Sequence, residues 1–368
     1  MLFLLILCWT SAFLATAMLV RYARGHTLRY SHALPQRFHE GHVPRLGGVA
    51  MLAACTAGWA WMVLSQRWNI PNQIRAEPTM VVSLWLVASV TVAAGAYEDL
   101  TQRLLARHRL LLTIATAALA VWLLKLSVPR LGLPGVDALW SASPWFGVML
   151  AVFAVSGLPH AFNLIDGYNG LAGIVAMVCC LALAYVSLQV GDRQLAATVL
   201  VLAGATAGFL VWNYPRGLIF AGDGGAYLWG VVIAVASVVL VLRHEQVSPW
   251  FPVLLLIYPV WETLFSIYRK VARGQSPGMA DALHFHQLIY RRIVRGVFDD
   301  DDEARRMLMR NNRTSPYLWG FALLTVLPAV LFWHQTGVLM VFCALFVVSY
   351  VWAYTSIVRF KVPRWLRR

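Results

Sequence analysis

The stretch HAFNLIDGYNGLAG at residues 160–173 sets amides, a carboxylate and glycines into an otherwise apolar chain. Asn163, Asp166 and Asn169 recur at threes, so a continued helix would carry them near one face. Gly167, Gly170 and Gly173 let a ligand or a neighbouring backbone come close. Three more polar clusters accompany it: Glu98-Asp99 at the end of an apolar run, Phe220-Ala221-Gly222-Asp223-Gly224-Gly225, and Asp281-Ala282-Leu283-His284-Phe285-His286. Oxygen donors from Asp and Asn, without cysteine, favour a hard cation such as Mg2+, whose shell is ordinarily completed by substrate phosphates and water. Glycine loops at helix N-termini offer N–H groups to anions, and arginine or histidine beside them offsets phosphoryl charge. This is phosphate chemistry. One acidic pair alone reads equally well as a helix cap set against nearby arginines; four clusters together read as a site.

Membrane helices must position these groups. Of the 368 residues, 60% are hydrophobic and 12% charged, and mean hydropathy is +0.66, a balance foreign to soluble domains. Eleven apolar runs are expected, near residues 2–20, 46–64, 79–97, 110–126, 144–162, 171–190, 195–212, 226–242, 249–268, 317–334 and 338–358. Each is roughly 17–20 residues, long enough to span a bilayer. The expected fold is all-α, a polytopic integral membrane protein with a single transmembrane domain over residues 1–368. Its polar loops fall near 21–45, 98–109, 163–170, 213–225 and 269–315. With the N-terminus outside and the C-terminus cytoplasmic, 24 of the 30 Lys and Arg residues lie in cytoplasmic loops or the tail, as the positive-inside rule requires. In that orientation every polar cluster, together with Pro44-Arg45-Leu46-Gly47-Gly48, opens on the cytoplasmic side of a cell (inner) membrane.

The formal charge of +14 is therefore a topology signal, and 16 tryptophans suit interfacial belts better than base stacking, so no nucleic-acid partner is expected. Ala15-Thr16-Ala17 looks like a cleavage site, but no basic residue precedes the first run and Arg21 and Arg24 follow it; it reads as a retained anchor. Cys8, Cys55, Cys179, Cys180 and Cys343 lie inside apolar runs and read as small hydrophobes. The acidic run at 299–303 reads as solvated surface. The rival reading is a secondary transporter for an anionic substrate. Such sites lie near the bilayer midplane, often between internal repeats, whereas these clusters sit at one surface and no repeat is seen.

With these motifs in this order, the sequence resembles the polyprenyl-phosphate N-acetylhexosamine-1-phosphate transferases, the undecaprenyl-phosphate GlcNAc-1-phosphate transferase-like enzymes of glycosyltransferase family 4. The likeness runs from PRLGG near residue 44 to the histidines near 286. Its most specific matches are HAFNLIDGYNGLAG, FAGDGG and RKVARGQSPGMADALHFHQ. The spaced aspartates of the CDP-alcohol phosphotransferases, the nearest enzymatic rivals, are absent. The resemblance implies transfer of a sugar 1-phosphate from a UDP-N-acetylhexosamine to polyprenyl phosphate, with release of UMP. Such a reaction is the first membrane step of a cell-envelope glycan such as O-antigen.

Carried over residue by residue, the resemblance implies a catalytic acidic pair at Glu98 and Asp99, and Mg2+ (or Mn2+) held by Asp223 and Asn163. It implies catalytic histidines at His284 and His286, and substrate binding by Asp166, Asn169, Arg45, Arg269 and Arg291, with Asn169 near the uracil. Two positions depart from the family pattern. Glu98 stands where Asp is usual, and Gln287 where a further histidine is frequent. The implied partners are the UDP-sugar, the lipid phosphate and membrane lipids, and a homodimer is compatible with them.

Overall fold

The computed structural model describes residues 1–23, 43–68, 74–276, 278, 283–294 and 302–359. Among them the chain is helical, with no strand. The helices are α1 (Leu2–Tyr22), α2 (Gly47–Leu64), α3 (Pro78–Thr101), α4 (Ala106–Leu124), α5 (Pro134–Ala142), α6 (Trp145–Ile165) and α7 (Leu171–Gln189). They continue as α8 (Arg193–Asn213), α9 (Gly222–Arg243), α10 (Trp250–Leu255), α11 (Ile257–Ala272), α12 (Phe285–Arg292), α13 (Glu303–Leu331) and α14 (Thr336–Val358). Ten of these are long and apolar enough to cross a membrane. The protein is a multi-pass membrane protein.

Helix α9 is the axis of the bundle. Every residue from Gly224 to Val241 is buried, as expected of a helix that is apolar all round. Its 22 residues rise about 33 Å at 1.5 Å each, close to the roughly 30 Å hydrocarbon layer. Helices α2, α3 and α6 pack on it, and α1 and α7 pack on α8. At its C-terminal end the Arg130 guanidinium donates to the carbonyls of Val241, His244, Glu245 and Val247, placing a cation where the helix dipole favours one. The opposite end carries the polar clusters.

Two expectations are corrected. The run at 249–268 is not one helix: α10 stops at Leu256 (φ −104°, ψ 7°) and α11 restarts at Ile257. Pro259, which has no N–H to donate, is accommodated in the first turn of the restarted helix. Ten uninterrupted spans, not eleven, are therefore found among the described residues. Helix α13 begins at Glu303, well before the expected run at 317, so part of the large polar loop is helical. Between α4 and α6 lies the short helix α5, with Asp137 accepting the Leu131 and Leu133 N–H groups at 2.6 and 3.1 Å. Arg24, Asp281 and the acidic residues 299–301 lie outside the described residues.

Candidate active site

The site is built on the N-terminus of α9, which two helices reach through bare backbone. A Cβ at Gly48 of α2 would fall 2.2 Å from the Gly225 nitrogen, and one at Gly95 of α3 would fall 2.4 Å from the Gly224 nitrogen. Only glycine permits that approach. The PRLGG and FAGDGG segments are tied into one unit, because Gly47 N and Gly48 N donate to the Phe220 and Ala221 carbonyls and Phe220 N donates to Pro44. Gly222, at φ +71°, turns the chain into the helix.

One turn beyond Gly95, the buried carboxylate of Asp99 accepts the Asp223 and Gly224 N–H groups, one on each oxygen, both at 3.0 Å. It is an N-terminal cap supplied by a neighbouring helix. Asp223 is thereby held in the first turn of α9. Its Oδ1 accepts from the Asn163 amide at 2.8 Å and its Oδ2 from the Arg109 guanidinium at 3.1 Å, with the Tyr227 hydroxyl at 3.4 Å. Its side chain is 15% exposed. Three residues before Asn163 on α6, His160 Nε2 lies 2.9 Å from the Thr113 hydroxyl, and its ring meets that of Tyr227 edge-on.

Helix α6 ends at Ile165, and residues 166–170 turn the chain before α7. Asp166 is half-buried and has no side-chain hydrogen-bond partner among the described residues. Burial pushes its carboxyl up to about 7, the negative charge of Asp223 adds to the rise, and Arg45 opposes it. Tyr168 is buried, stacked on Tyr290 and edge-on to His286. Asn169 turns away from Asp223. Its N–H donates to Asn311 (2.9 Å), its amide to Pro215 (3.2 Å) and Asn312 (3.1 Å), and its carbonyl accepts from Ser315 (2.6 Å).

The histidine segment opens α12. His284 and Gln287 form a capping box, with Gln287 Oε1 accepting the His284 N–H at 3.3 Å. Gln287 is buried, so the residue that stands where a further histidine is frequent closes the helix start. The His284 and His286 rings stack at 5.4 Å between centroids. His286 Nε2 faces Gly167, where an added Cβ would sit 2.9 Å from it. The histidine pair therefore abuts the loop that carries Asp166.

The sequence matches the family described as Glycosyl transferase family 4 across residues 81–241, the stretch that supplies Asp99, Asn163, Asp166 and Asp223. It is 27% identical over 252 residues to a Bacillus subtilis protein named probable undecaprenyl-phosphate N-acetylglucosaminyl 1-phosphate transferase. That alignment covers 68% of this chain and 66% of the relative, just under two thirds. To the Salmonella typhi undecaprenyl-phosphate alpha-N-acetylglucosaminyl 1-phosphate transferase it is 26% identical over 300 residues, 76% of this chain and 75% of that one. A Thermotoga maritima protein of the same name is 31% identical over 137 residues, 37% of this chain and 41% of its own. Over residues 81–241 the chain is similar to glycosyl transferase family 4, and its relatives carry the names of undecaprenyl-phosphate N-acetylglucosaminyl 1-phosphate transferases.

The expected site residues divide into groups. Asn163 and Asp223 meet directly, and Arg45 and Asp166 lie within electrostatic reach of them. Glu98 and Asp99 part company: Glu98 Oε2 accepts the Leu104 N–H at 2.7 Å and shapes the loop after α3, while Asp99 caps α9. Arg269 is buried beneath the histidine segment, donating to the Leu283 carbonyl (2.7 Å) and the Tyr354 hydroxyl (2.8 Å). Its contacts are those of a support, as are those of Asn169. Arg291 is exposed on α12, with its charge near Tyr168 and Tyr290.

Sequence reasoning missed Arg109, Tyr227 and Glu262. Tyr227 follows Asp223 by one helical turn, a spacing visible in the sequence. Glu262 is a lone carboxylate in an apolar run, itself a functional flag. Arg109 gave no local signal beyond its place in a basic loop.

Proposed function

We propose that this transferase moves a sugar 1-phosphate from a UDP-N-acetylhexosamine onto polyprenyl phosphate at the cytoplasmic face of the membrane and releases UMP. The observation that carries this reading is Asp223, fixed at the N-terminus of the most buried helix between Asn163 and Arg109, with the Asp166 carboxylate close by. The names of the relatives supply the substrate class, and UDP-GlcNAc is the first donor to try. The orientation rests on the positive-inside count, with 24 of the 30 Lys and Arg residues in the loops assigned to that side.

The donor set fits Mg2+, or Mn2+ in its place. Burial and, after it, the negative charge of Asp223 raise the Asp166 carboxyl to about 7, and a bound divalent cation would relieve the part that comes from repulsion. Among the described residues no three His, Cys, Asp or Glu side chains gather into a metal cluster, which accords with an ion that takes few protein ligands and fills its shell from phosphate and water. Asp223 and Asn163 would hold it, with the Asn163 amide turned to offer its oxygen. When bound, such an ion neutralises diphosphate charge and stabilises the leaving phosphate.

In the reaction an oxygen of the lipid phosphate forms a bond to the sugar-bearing phosphorus. The bond from that phosphorus to the bridging oxygen breaks, and UMP departs with the bridging oxygen and the electron pair. The nucleophile is already anionic, so direct attack is favoured and the protein's work is to bring two polyanions together. Arg109 and Arg45 offset phosphoryl charge, and His284 and His286 do so from the facing side. Asp99 acts through Asp223, since both of its oxygens accept backbone N–H groups of α9.

A panel of radiolabelled UDP-sugars, offered with polyprenyl phosphate and Mg2+ to the detergent-solubilised protein, tests the proposal. Label moving into the organic phase as a pyrophosphate-linked lipid is the expected result. Folded protein that transfers from no UDP-sugar would overturn it.

A further inference from the structure

The bundle contains a carboxylate that the reaction above does not use. Glu262 of α11 is fully buried, and an ionised group there persists only if its lone pairs are satisfied. Its Oε1 accepts the Phe285 N–H at 3.0 Å and lies 3.4 Å from His284 Nδ1. Its Oε2 accepts the Tyr350 hydroxyl at 2.5 Å. Two turns further along the same face of α11, Arg269 and the Tyr354 hydroxyl both donate to the Leu283 carbonyl, at 2.7 and 3.2 Å. Helices α11 and α14 thus grip three consecutive residues, 283 to 285, from below.

This grip fixes more than the backbone. A carboxylate beside an imidazole helps to set the ring's orientation. The carboxylate lies 3.4 Å from His284 Nδ1, and the His284 ring lies parallel to that of His286, with an interplanar angle of 11°. His286 in turn abuts Gly167 beside Asp166. A relay of contacts runs from Glu262 through the stacked histidines to the loop at the metal-phosphate site.

We infer that Glu262 is a positioning residue for transfer: through its bonds to Phe285 and Tyr350 and its approach to the His284 ring it holds the histidine pair toward the phosphates. The inference rests on the proposal that His284 and His286 face the substrate phosphates.

Glu262→Gln keeps the size of the side chain and replaces the carboxylate with an amide; Glu262→Asp keeps the charge on a shorter arm. The expected result for Glu262→Gln is a fall in kcat of roughly 10–100-fold, the range for losing a partner of this kind, with KM for the UDP-sugar within about threefold. Ring-15N-histidine spectra, assigned with His284→Asn, should show the His284 ring signals shifted from their wild-type positions. Glu262→Asp should recover part of both, and it carries the comparison if Glu262→Gln does not accumulate. Wild-type kcat in the variants, or lost activity with the His284 signal unchanged, would overturn the inference, the latter by reducing Glu262 to a structural group. If the wild-type protein transfers from no UDP-sugar, the functional proposal fails by itself, and the spectra still decide whether Glu262 governs His284.

Discussion

Replacing Asp99 with asparagine separates a helix cap from a proton acceptor. In the structure each Asp99 oxygen accepts one N–H of the first turn of α9, at 3.0 Å. Asparagine keeps one acceptor and turns an amide N–H2 toward the second donor, so one buried N–H loses its partner at a cost of about 1–3 kcal/mol. Removing the negative charge from a helix N-terminus adds about 0.3–1 kcal/mol. Together these come to roughly 1–4 kcal/mol, or about 5- to 1000-fold if the whole loss falls on the arrangement that presents Asp223. Because that loss acts through Asp223, Asp99→Asn should weaken the Mg2+ dependence of transfer and lower the thermal midpoint of the detergent-solubilised protein, as well as reducing kcat. The assay is lipid-phase transfer across a Mg2+ titration, alongside thermal unfolding at matched protein concentration. A large loss of kcat with both the metal midpoint and the thermal midpoint unchanged would refute the reasoning and return Asp99 to direct contact with substrate.

Arg109→Ala removes the charge-assisted bond to Asp223 at 3.1 Å, worth about 1.5–3 kcal/mol, so kcat/KM should fall roughly 10- to 150-fold, with partial recovery in Arg109→Lys; wild-type kinetics would exclude a role at the site. The Asp166 carboxyl is raised in the folded protein from 3.8 to about 7, so the folded state binds the extra proton between those values. Its stabilising effect is full below the unfolded pKa and is lost as pH rises through about 7. Thermal unfolding in chelator should accordingly show stability declining over that window, and Asp166→Asn should flatten the decline. Glu98→Asp restores the residue usual in the family and shortens the arm that reaches the Leu104 N–H; transfer should stay within about tenfold, or about 1.4 kcal/mol of barrier, and a loss comparable to that of Asp99→Asn would place Glu98 at the chemistry.

The convergence of PRLGG, FAGDGG and the 160–173 stretch could be read in advance because each is a polar interruption at a helix end, and the basic residues assign those ends to one side. Individual roles were harder to read, for geometric reasons. Adjacent residues of a helix point about 100° apart, so Glu98 and Asp99 could not both face one ligand, and the structure sends them to Leu104 and to α9. The spacing of Asn163, Asp166 and Asn169 assumes a helix that continues. It stops at Ile165, and Gly170 at φ +72° swings Asn169 toward α13. Arg109 pairs with a residue 114 positions away, a contact that depends on how α4 sits against α9 and that no local pattern encodes.

The break in the expected run at 249–268 shows how a local rule serves the site. A straight helix through that run would carry Pro259 in its interior, losing a hydrogen bond and clashing with the preceding turn. The restart at Ile257 lets α11 take its own direction and present Tyr258, Glu262, Ser266 and Arg269 as one buried face. Glu262 and Arg269 on that face are the two groups that grip the histidine segment. The glycine-lined end of α9 is held by backbone contacts that tolerate no side chain, whereas the histidine half is held by a few buried polar bonds from α11 and α14. Substitutions at Gly48 or Gly95 should therefore act on folding, and those at Glu262 or Tyr350 on the placement of His284. The two halves meet where His286 abuts Gly167, so the relation between the histidines and Asp223 depends on a loop that both halves support.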